Sequence, residues 1–316
     1  MILNSLEPLF TPRSLAIVGV TENPEKLGHL LLKNLLDSGF LGELHAVCAT
    51  GGEVLGRKTL PSLKEVKGEV DLVLLTVPNP ETISALREAA RLEPKVVVVL
   101  SSGFGETGLA GKKVEREIHA LFHGTGTRVV GPNCRGVYDA HNRLNATLYR
   151  EVPRNRGNIS FVTQSGSYGA LLFQEVRQRG LGISKFASIG NQIDLDHTDF
   201  LEALGMDDRT DVIGLFAEEI KGGARFVQVA AEISIKKPIV LFKGGRTAAG
   251  SKVAEAHTGS VSGSSEVFEA AARQAGSCWR ATRSTSSTRS RSSRRLRATS
   301  RRTRTSGCWR SRAGRR

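Results

Sequence analysis

Residues 95–100, Lys-Val-Val-Val-Val-Leu, restrict the fold more than any other stretch of the chain. Every position from Val96 to Leu100 is apolar. A strand of this kind has no polar face to give to water, so both faces must be covered. That is the habit of a parallel sheet with helices packed on each side. Less uniform runs of the same character lie at 14–20, 44–48, 70–78 and 128–131, and helical patterns follow at 29–38, 81–91 and 114–123. The alternation predicts an α/β domain over 1–136. Residues 137–157 are more polar and carry Val152-Pro153-Arg154-Asn155-Arg156-Gly157, and they read as an irregular connection. The pattern then restarts, with strands at 158–163, 183–189, 212–217 and 238–243 and helices at 168–179, 200–205, 224–235 and 266–274. A second, smaller doubly wound domain is expected over 158–276.

Composition excludes several classes of function. With 316 residues the chain has room for about two domains. No apolar run approaches the ~20 residues of a membrane span. The N-terminus lacks the basic and apolar regions of a secretory signal, so the expected compartment is the cytoplasm. The four cysteines, at 48, 134, 278 and 308, have no metal-ligand spacing and are few for a disulfide framework. No metal site is expected. The net charge of +14 suggests a nucleic-acid partner until it is located. Fourteen of the 45 Lys and Arg residues lie in 277–316, which contains no acid, leaving 31 basic and 31 acidic residues in 1–276. The body is neutral, and neither nucleic acid nor membrane is expected as its partner.

The chemistry-bearing residues sit where strands end. Gly19 closes the first strand, and Thr21, Asn23 and Lys26 occupy the turn before a helix that begins near Gly28. A strand–glycine–helix turn aims backbone N–H groups at an anion, although the three-glycine dinucleotide pattern is absent and a ligand-free βα turn fits as well. Val77 and Pro78, then Ser101, Ser102 and Gly103, then Asn133, stand at the ends of the next strands. In the second domain Gln164-Ser165-Gly166-Ser167 links a strand to a helix, where Ser165 suits either an anion site or a plain N-cap. It is not a nucleophile elbow, because Thr163-Gln164 replaces the first glycine. Glu218 and Glu219 end another strand, and Asn191, Asp194 and Asp196 a further one, the latter three reading as metal ligands or ordinary loop residues. Cys134 reads best as a packed small residue. His257 lies among small residues in Ala254-Glu255-Ala256-His257-Thr258-Gly259-Ser260, where a ligand can approach closely. Alone it also fits an ordinary loop histidine. With a carboxylate such as Glu218 holding one ring nitrogen, the other is free to attack phosphorus.

Taken in order, these motifs resemble the NDP-forming acyl-CoA synthetases, such as ADP-forming acetate–CoA ligase, and more distantly the succinyl-CoA synthetase alpha subunit. The resemblance covers about residues 8–276 and rests on the Gly19 turn, 51–56, Gly131-Pro132-Asn133-Cys134, Asn145-Ala146-Thr147, Thr163-Gln164-Ser165-Gly166, Ser188-Ile189-Gly190-Asn191 and Ala256-His257-Thr258-Gly259-Ser260. It implies a Rossmann-like CoA-binding domain followed by a flavodoxin-like domain of the succinyl-CoA ligase type. It assigns CoA phosphate contacts to Gly19, Thr21, Asn23 and Lys26, places Val77 and Pro78 near the adenine, and lines the pantetheine path with Ser101, Ser102, Gly103 and Asn133. His257 becomes a phosphohistidine oriented by Glu218. Gln164, Ser165 and Gly166, with Thr258 and Gly259, hold the phosphate. Coenzyme A, an acyl-CoA and a small carboxylic acid are the implied ligands. ADP or ATP with Mg2+ belongs to an ATP-grasp domain or subunit, and the assembly is an oligomer. The chain departs from the family at Cys48-Ala49, Arg135 and Glu219, none of which removes a proposed chemical group.

The Arg/Ser-rich residues 277–316 depart most. GC-rich codons for this stretch, shifted by one base, can be read as the family's continuation. The expectation is therefore a disordered, out-of-frame tail, with a basic nucleic-acid-binding tail as the rival. The alternatives for the whole chain are the CoA-ligase-like regulatory module of a protein acetyltransferase and a non-catalytic CoA-binding fragment.

Overall fold

A computed structural model describes residues 6–245 and 278–280. The first sheet contains β1 (Ser14–Val18), β2 (Glu43–Val47), β3 (Glu53–Val54), β4 (Arg57–Leu60), β5 (Leu72–Leu75), β6 (Val96–Val99) and β7 (Arg128–Val130). Their order across the sheet is β3-β4-β2-β1-β5-β6-β7, and every pairing except β3 with β4 is parallel. Helices α1 (Glu7–Phe10), α2 (Leu27–Ser38), α3 (Asn79–Ala90) and α4 (Leu109–Phe122) accompany it. All four valines of β6 are buried, and alternate ones enter two different cores: Val96 and Val98 one, Val97 and Val99 the other. The run apolar at every position is thus a strand covered on both sides.

The second sheet contains β8 (Gly136–Asp139), β9 (Leu144–Thr147), β10 (Ile159–Thr163), β11 (Lys185–Ser188), β12 (Val212–Ala217), β13 (Ile239–Lys243) and β14 (Cys278–Arg280). Its order is β14-β13-β12-β10-β11-β8-β9, with the β11–β8 and β8–β9 pairings antiparallel and the other four parallel. Helices α5 (Gly166–Gln178), α6 (His197–Met206) and α7 (Gly223–Ser234) connect its parallel strands.

Two expectations are corrected, for residues 137–157 and for the start of the tail. Residues 137–157 are not an irregular connection over their whole length, because β8 and β9 form a hairpin on the edge of the second sheet. The stretch reads as polar because its polar groups are satisfied internally: Asp139 is fully buried, accepts from the backbone of His141 and Asn142, and lies 3.4 Å from the Lys185 amine. The glycine-rich 51–58 segment carries the small β3–β4 ribbon, with β4 paired to β2. Within the Arg/Ser-rich tail, residues 278–280 form β14, in register with Val240, Leu241 and Phe242. The rest of the tail and the predicted 266–274 helix lie outside the described residues.

The two sheets share one hydrophobic core. Leu31 and Leu35 of α2 pack in a cluster that includes Val137, Leu144, Ala146, Phe200 and Leu241. Asn34 of α2 donates to the carbonyls of Thr147 and Tyr149, at 2.8 and 2.9 Å. The edge of β7 is also covered. Backbone N–H groups of Asn191, Ile193 and Leu195 donate to the carbonyls of Pro132, Gly131 and Val129. The Asp194 carboxylate, paired with Arg128, accepts from the Val129 N–H at 2.8 Å. An edge that would otherwise be open to another chain is closed by the second domain's own backbone.

Candidate functional site

Parallel strands deliver their carboxyl ends to one edge of a sheet, and a crevice opens where neighbouring strands send their connections to opposite sides. In the first sheet that point lies between β1 and β5. Gly19 follows β1 with φ +94°, and a Cβ on Gly28 would collide with the Gly19 carbonyl, so two glycines let the start of α2 press against the turn. The turn holds itself: Thr21 Oγ1 accepts from Asn23 N at 3.3 Å, and Asn23 Oδ1 accepts from Glu25 N at 2.9 Å. Lys26 is the exposed N-cap of α2, and its side chain makes no capping bond. Across the switch point, Thr76 Oγ1 donates to the Val18 carbonyl at 2.9 Å. Val77 is half-buried and Pro78 is the exposed N-cap of α3. Ser101, at the end of β6, donates its hydroxyl to the Val77 carbonyl, and its own carbonyl accepts from Asn133 N at 2.8 Å. Ser102 is exposed beside it. The residues expected around CoA therefore stand at the ends of β1, β5, β6 and β7.

In the second sheet the connections diverge around β10, whose neighbours are β11 and β12. Gln164 follows β10 and is buried, 5% exposed. Its side-chain oxygen accepts from the backbone N–H of Glu218 at 2.9 Å and of Glu219 at 3.0 Å. Its carbonyl chemistry is thus spent on shaping the end of β12. Ser165 is the N-cap of α5 and accepts from Tyr168 N, which leaves the first N–H groups of the helix directed outward. Gly166 begins the helix, and a Cβ there would meet Arg135 Cγ at 2.6 Å, which puts the exposed Arg135 side chain against this turn. Tyr168 stacks on Phe216 with ring centroids 4.0 Å apart, and burial pushes its phenol up to about 12.

Glu218 is buried at the β12 end, with Gly244 close enough that a Cβ would lie 3.1 Å from its Cγ. Its backbone carbonyl accepts from the Lys243 amine, which also donates to the Gly244 carbonyl at 2.9 Å. Burial lowers the Lys243 pKa, opposed by the nearby Glu218 and Glu219 charges. Lys243 was missed in the sequence, although a lysine closing an apolar strand is a usable signal. His257, Thr258 and Gly259 lie outside the described residues.

Other candidates resolve into structural roles. Asp194 pairs with Arg128, and Asp196 caps α6 in a reciprocal box with Asp199. Among the described residues, no group of three or more His, Cys, Asp or Glu could hold a metal ion. Cys134 is fully buried, donates to the Val99 carbonyl at 3.3 Å, and is pushed up to about 12 by burial, so it is not a thiolate nucleophile at neutral pH. His197 is buried and held neutral, with its pKa lowered to about 4 by desolvation. A neutral ring has one N–H, which goes to the Phe216 carbonyl at 3.0 Å. The Gln192 amide, 2.9 Å from Nδ1, must then present its NH2, which also gives that buried donor a partner.

These two sheets define a CoA-binding domain followed by a succinyl-CoA ligase-like flavodoxin domain. Residues 13–140 match the family described as CoA binding domain, and residues 156–285 match the succinyl-CoA ligase like flavodoxin domain. Over 271 residues, 86% of its length, the chain is 40% identical to the alpha subunit of acetate–CoA ligase [ADP-forming] II of Pyrococcus furiosus, covering 59% of that protein. It is 38% identical to acetate–CoA ligase [ADP-forming] I of Archaeoglobus fulgidus, covering 86% of this chain and 39% of that one. The structure of dinucleotide-forming acetyl-coenzyme A synthetase 1 of Ca. Korarchaeum cryptofilum, in complex with phosphate and ADP, superposes with a TM-score of 0.82 at 36% identity, covering 87% of this chain and 59% of that one. The chain is a homologue of ADP-forming acetate–CoA ligase alpha subunits and spans about three-fifths of their length. The match to residue 285 takes in β14.

Proposed function

We propose that this chain is the CoA-binding and phosphohistidine portion of an ADP-forming acyl-CoA synthetase, acting on acyl-CoA + ADP + Pi ⇌ carboxylic acid + CoA + ATP. A phosphate oxygen attacks the thioester carbonyl, the C–S bond breaks, and the sulfur leaves as CoA. The acyl phosphate then gives its phosphoryl group to a ring nitrogen of His257, and the carboxylate departs. Attack by ADP on the phosphorus frees the histidine. The nucleotide half is assigned to an ATP-grasp domain or subunit, which would hold ADP or ATP with Mg2+.

The observation that carries this reading is the direct bond between the Gln164 side chain and the Glu218 backbone at the second sheet's switch point. It joins the turn expected to hold phosphate to the carboxylate expected to orient His257. Gly19, Val77, Ser101 and Asn133 at the first sheet's strand ends support the CoA half. The 40% identity to an ADP-forming ligase alpha subunit supports the reaction type.

Incubation with acetyl-CoA and labelled phosphate tests it, with and without an ATP-grasp subunit. Acid-labile, base-stable label on the wild type and none on His257→Ala is the expected result. CoA binding with no label under either condition would instead mark a CoA-binding module.

A further inference from the structure

Asn191 ties the second domain to the loop at the end of β6, and its hydrogen bonds leave its amide only one orientation. Its Nδ2 donates to Glu106 Oε2 and to Glu115 Oε1, each at 2.7 Å. Carboxylate oxygens accept, so the NH2 must face them. Its Oδ1 is left to accept from Asn133 Nδ2 at 3.3 Å. Glu106 in turn accepts from Gly103 N at 2.6 Å, the residue whose carbonyl receives the Asn79 amide. On the other side, the Lys221 amine holds the carbonyls of Asn191, at 3.2 Å, and Gln192, at 2.6 Å. Lys221 lies three residues after Glu218 on the same loop. A continuous polar chain thus runs from Gly103 through Glu106 and Asn191 to Lys221.

We propose that Asn191 is a positioning residue that sets the 101–106 loop against the second domain, so that the thiol end of bound CoA is held toward the Glu218 loop. This rests on the CoA reading above, in which Ser101 to Gly103 line the pantetheine path. Asn191 acts on the pantetheine half of the ligand. The nucleotide half would meet the Gly19 turn, to which none of these hydrogen bonds runs, and Val77, which the network reaches only through the Ser101 hydroxyl on its backbone carbonyl.

The full chain is titrated calorimetrically with coenzyme A and with adenosine 3′,5′-bisphosphate, which lacks pantetheine. Asn191→Asp puts a third carboxylate against Glu106 and Glu115. It is expected to weaken CoA about tenfold while leaving the bisphosphate unchanged, the size of an ordinary coupling between groups in contact. Combining it with Glu106→Gln and Glu115→Gln reverses the two bonds between residue 191 and its carboxylate partners, keeps the Asn133 and Gly103 donors in place, and restores CoA affinity. Glu106→Gln alone, a milder change, weakens CoA in the same direction. A general loss of structure would weaken both ligands equally and would overturn the proposal, as would an unchanged affinity ratio in both Asn191→Asp and Glu106→Gln. A wild-type chain that binds neither ligand would overturn the CoA reading itself, and the proposal with it.

Discussion

The side-chain oxygen of Gln164 accepts the backbone N–H of Glu218 at 2.9 Å, so a residue at the end of β10 sets the backbone that carries a carboxylate at the end of β12. The same oxygen takes the Glu219 N–H. Replacing Gln164 with Ala leaves two N–H groups without their acceptor in a largely buried place. A loss of about 2–4 kcal/mol in stability is expected, from the cost of leaving buried donors unsatisfied. Urea denaturation checks the stability, and His257 labelling should fall with it. A variant with wild-type stability would show that water replaces the amide.

Gly28→Ala should be severe, because its Cβ meets the backbone carbonyl of Gly19 and neither atom sits on a flexible side chain. Overpacking against rigid backbone costs about 1–3 kcal/mol or more. Gly126, with nothing within 4 Å of its ideal Cβ, is the control. Gly126→Ala should change stability by less than about 1 kcal/mol, and in the favourable direction. Thermal melts of the two variants side by side decide the matter, and CoA affinity should fall only in the first.

Buried His197 makes stability depend on pH. Its folded pKa of about 4 lies below the ordinary imidazole value of about 6.5, because desolvation opposes the charged ring. Between these values the unfolded chain binds a proton that the folded chain refuses. The contribution is therefore fully present above about pH 6.5 and is lost as pH falls toward 4, by about 3 kcal/mol in all. Unfolding free energies at about pH 7.5 and 4.5 should differ less in His197→Gln than in the wild type, by a large part of that amount. Equal pH dependence in both would assign the acid sensitivity to other groups.

Arg128 and Asp194 form a two-point ion pair between the domains, with Nε to Oδ2 at 3.0 Å and Nη2 to Oδ1 at 2.8 Å. Both side chains are about a quarter exposed, so the pair is only partly screened. A double-mutant cycle with Arg128→Ala and Asp194→Ala should give a coupling of about 1–2 kcal/mol that shrinks in molar salt. Asp194→Ala should be the worse single change, since the Val129 N–H also loses its acceptor.

The repeating strands were legible because their periodicity is local. β1, β5, β6 and β7 all fall inside the apolar runs, and the residues expected around CoA stand at their carboxyl ends. The helix beginning at His197 was expected three residues later, because the Asp196–Asp199 capping box is written in polar residues that read equally well as loop. The β8–β9 hairpin was missed for a related reason. Asp139, Asn145 and Thr147 are buried there, and their polarity looks like a surface loop until Lys185, far along the chain, is brought beside Asp139.

By itself the sequence determined two doubly wound sheets and which residues stand at their strand ends, since alternation and strand-ending glycines and prolines act over a few residues. Only the tertiary structure decided that Gln164 shapes the Glu218 backbone, that Asn191 lies between Glu106 and Glu115, and that β7 is covered by 191–195. Those contacts join groups 54 to 85 positions apart, and no local pattern records a hydrogen bond whose acceptor arrives only when distant strands pair or the two sheets pack together.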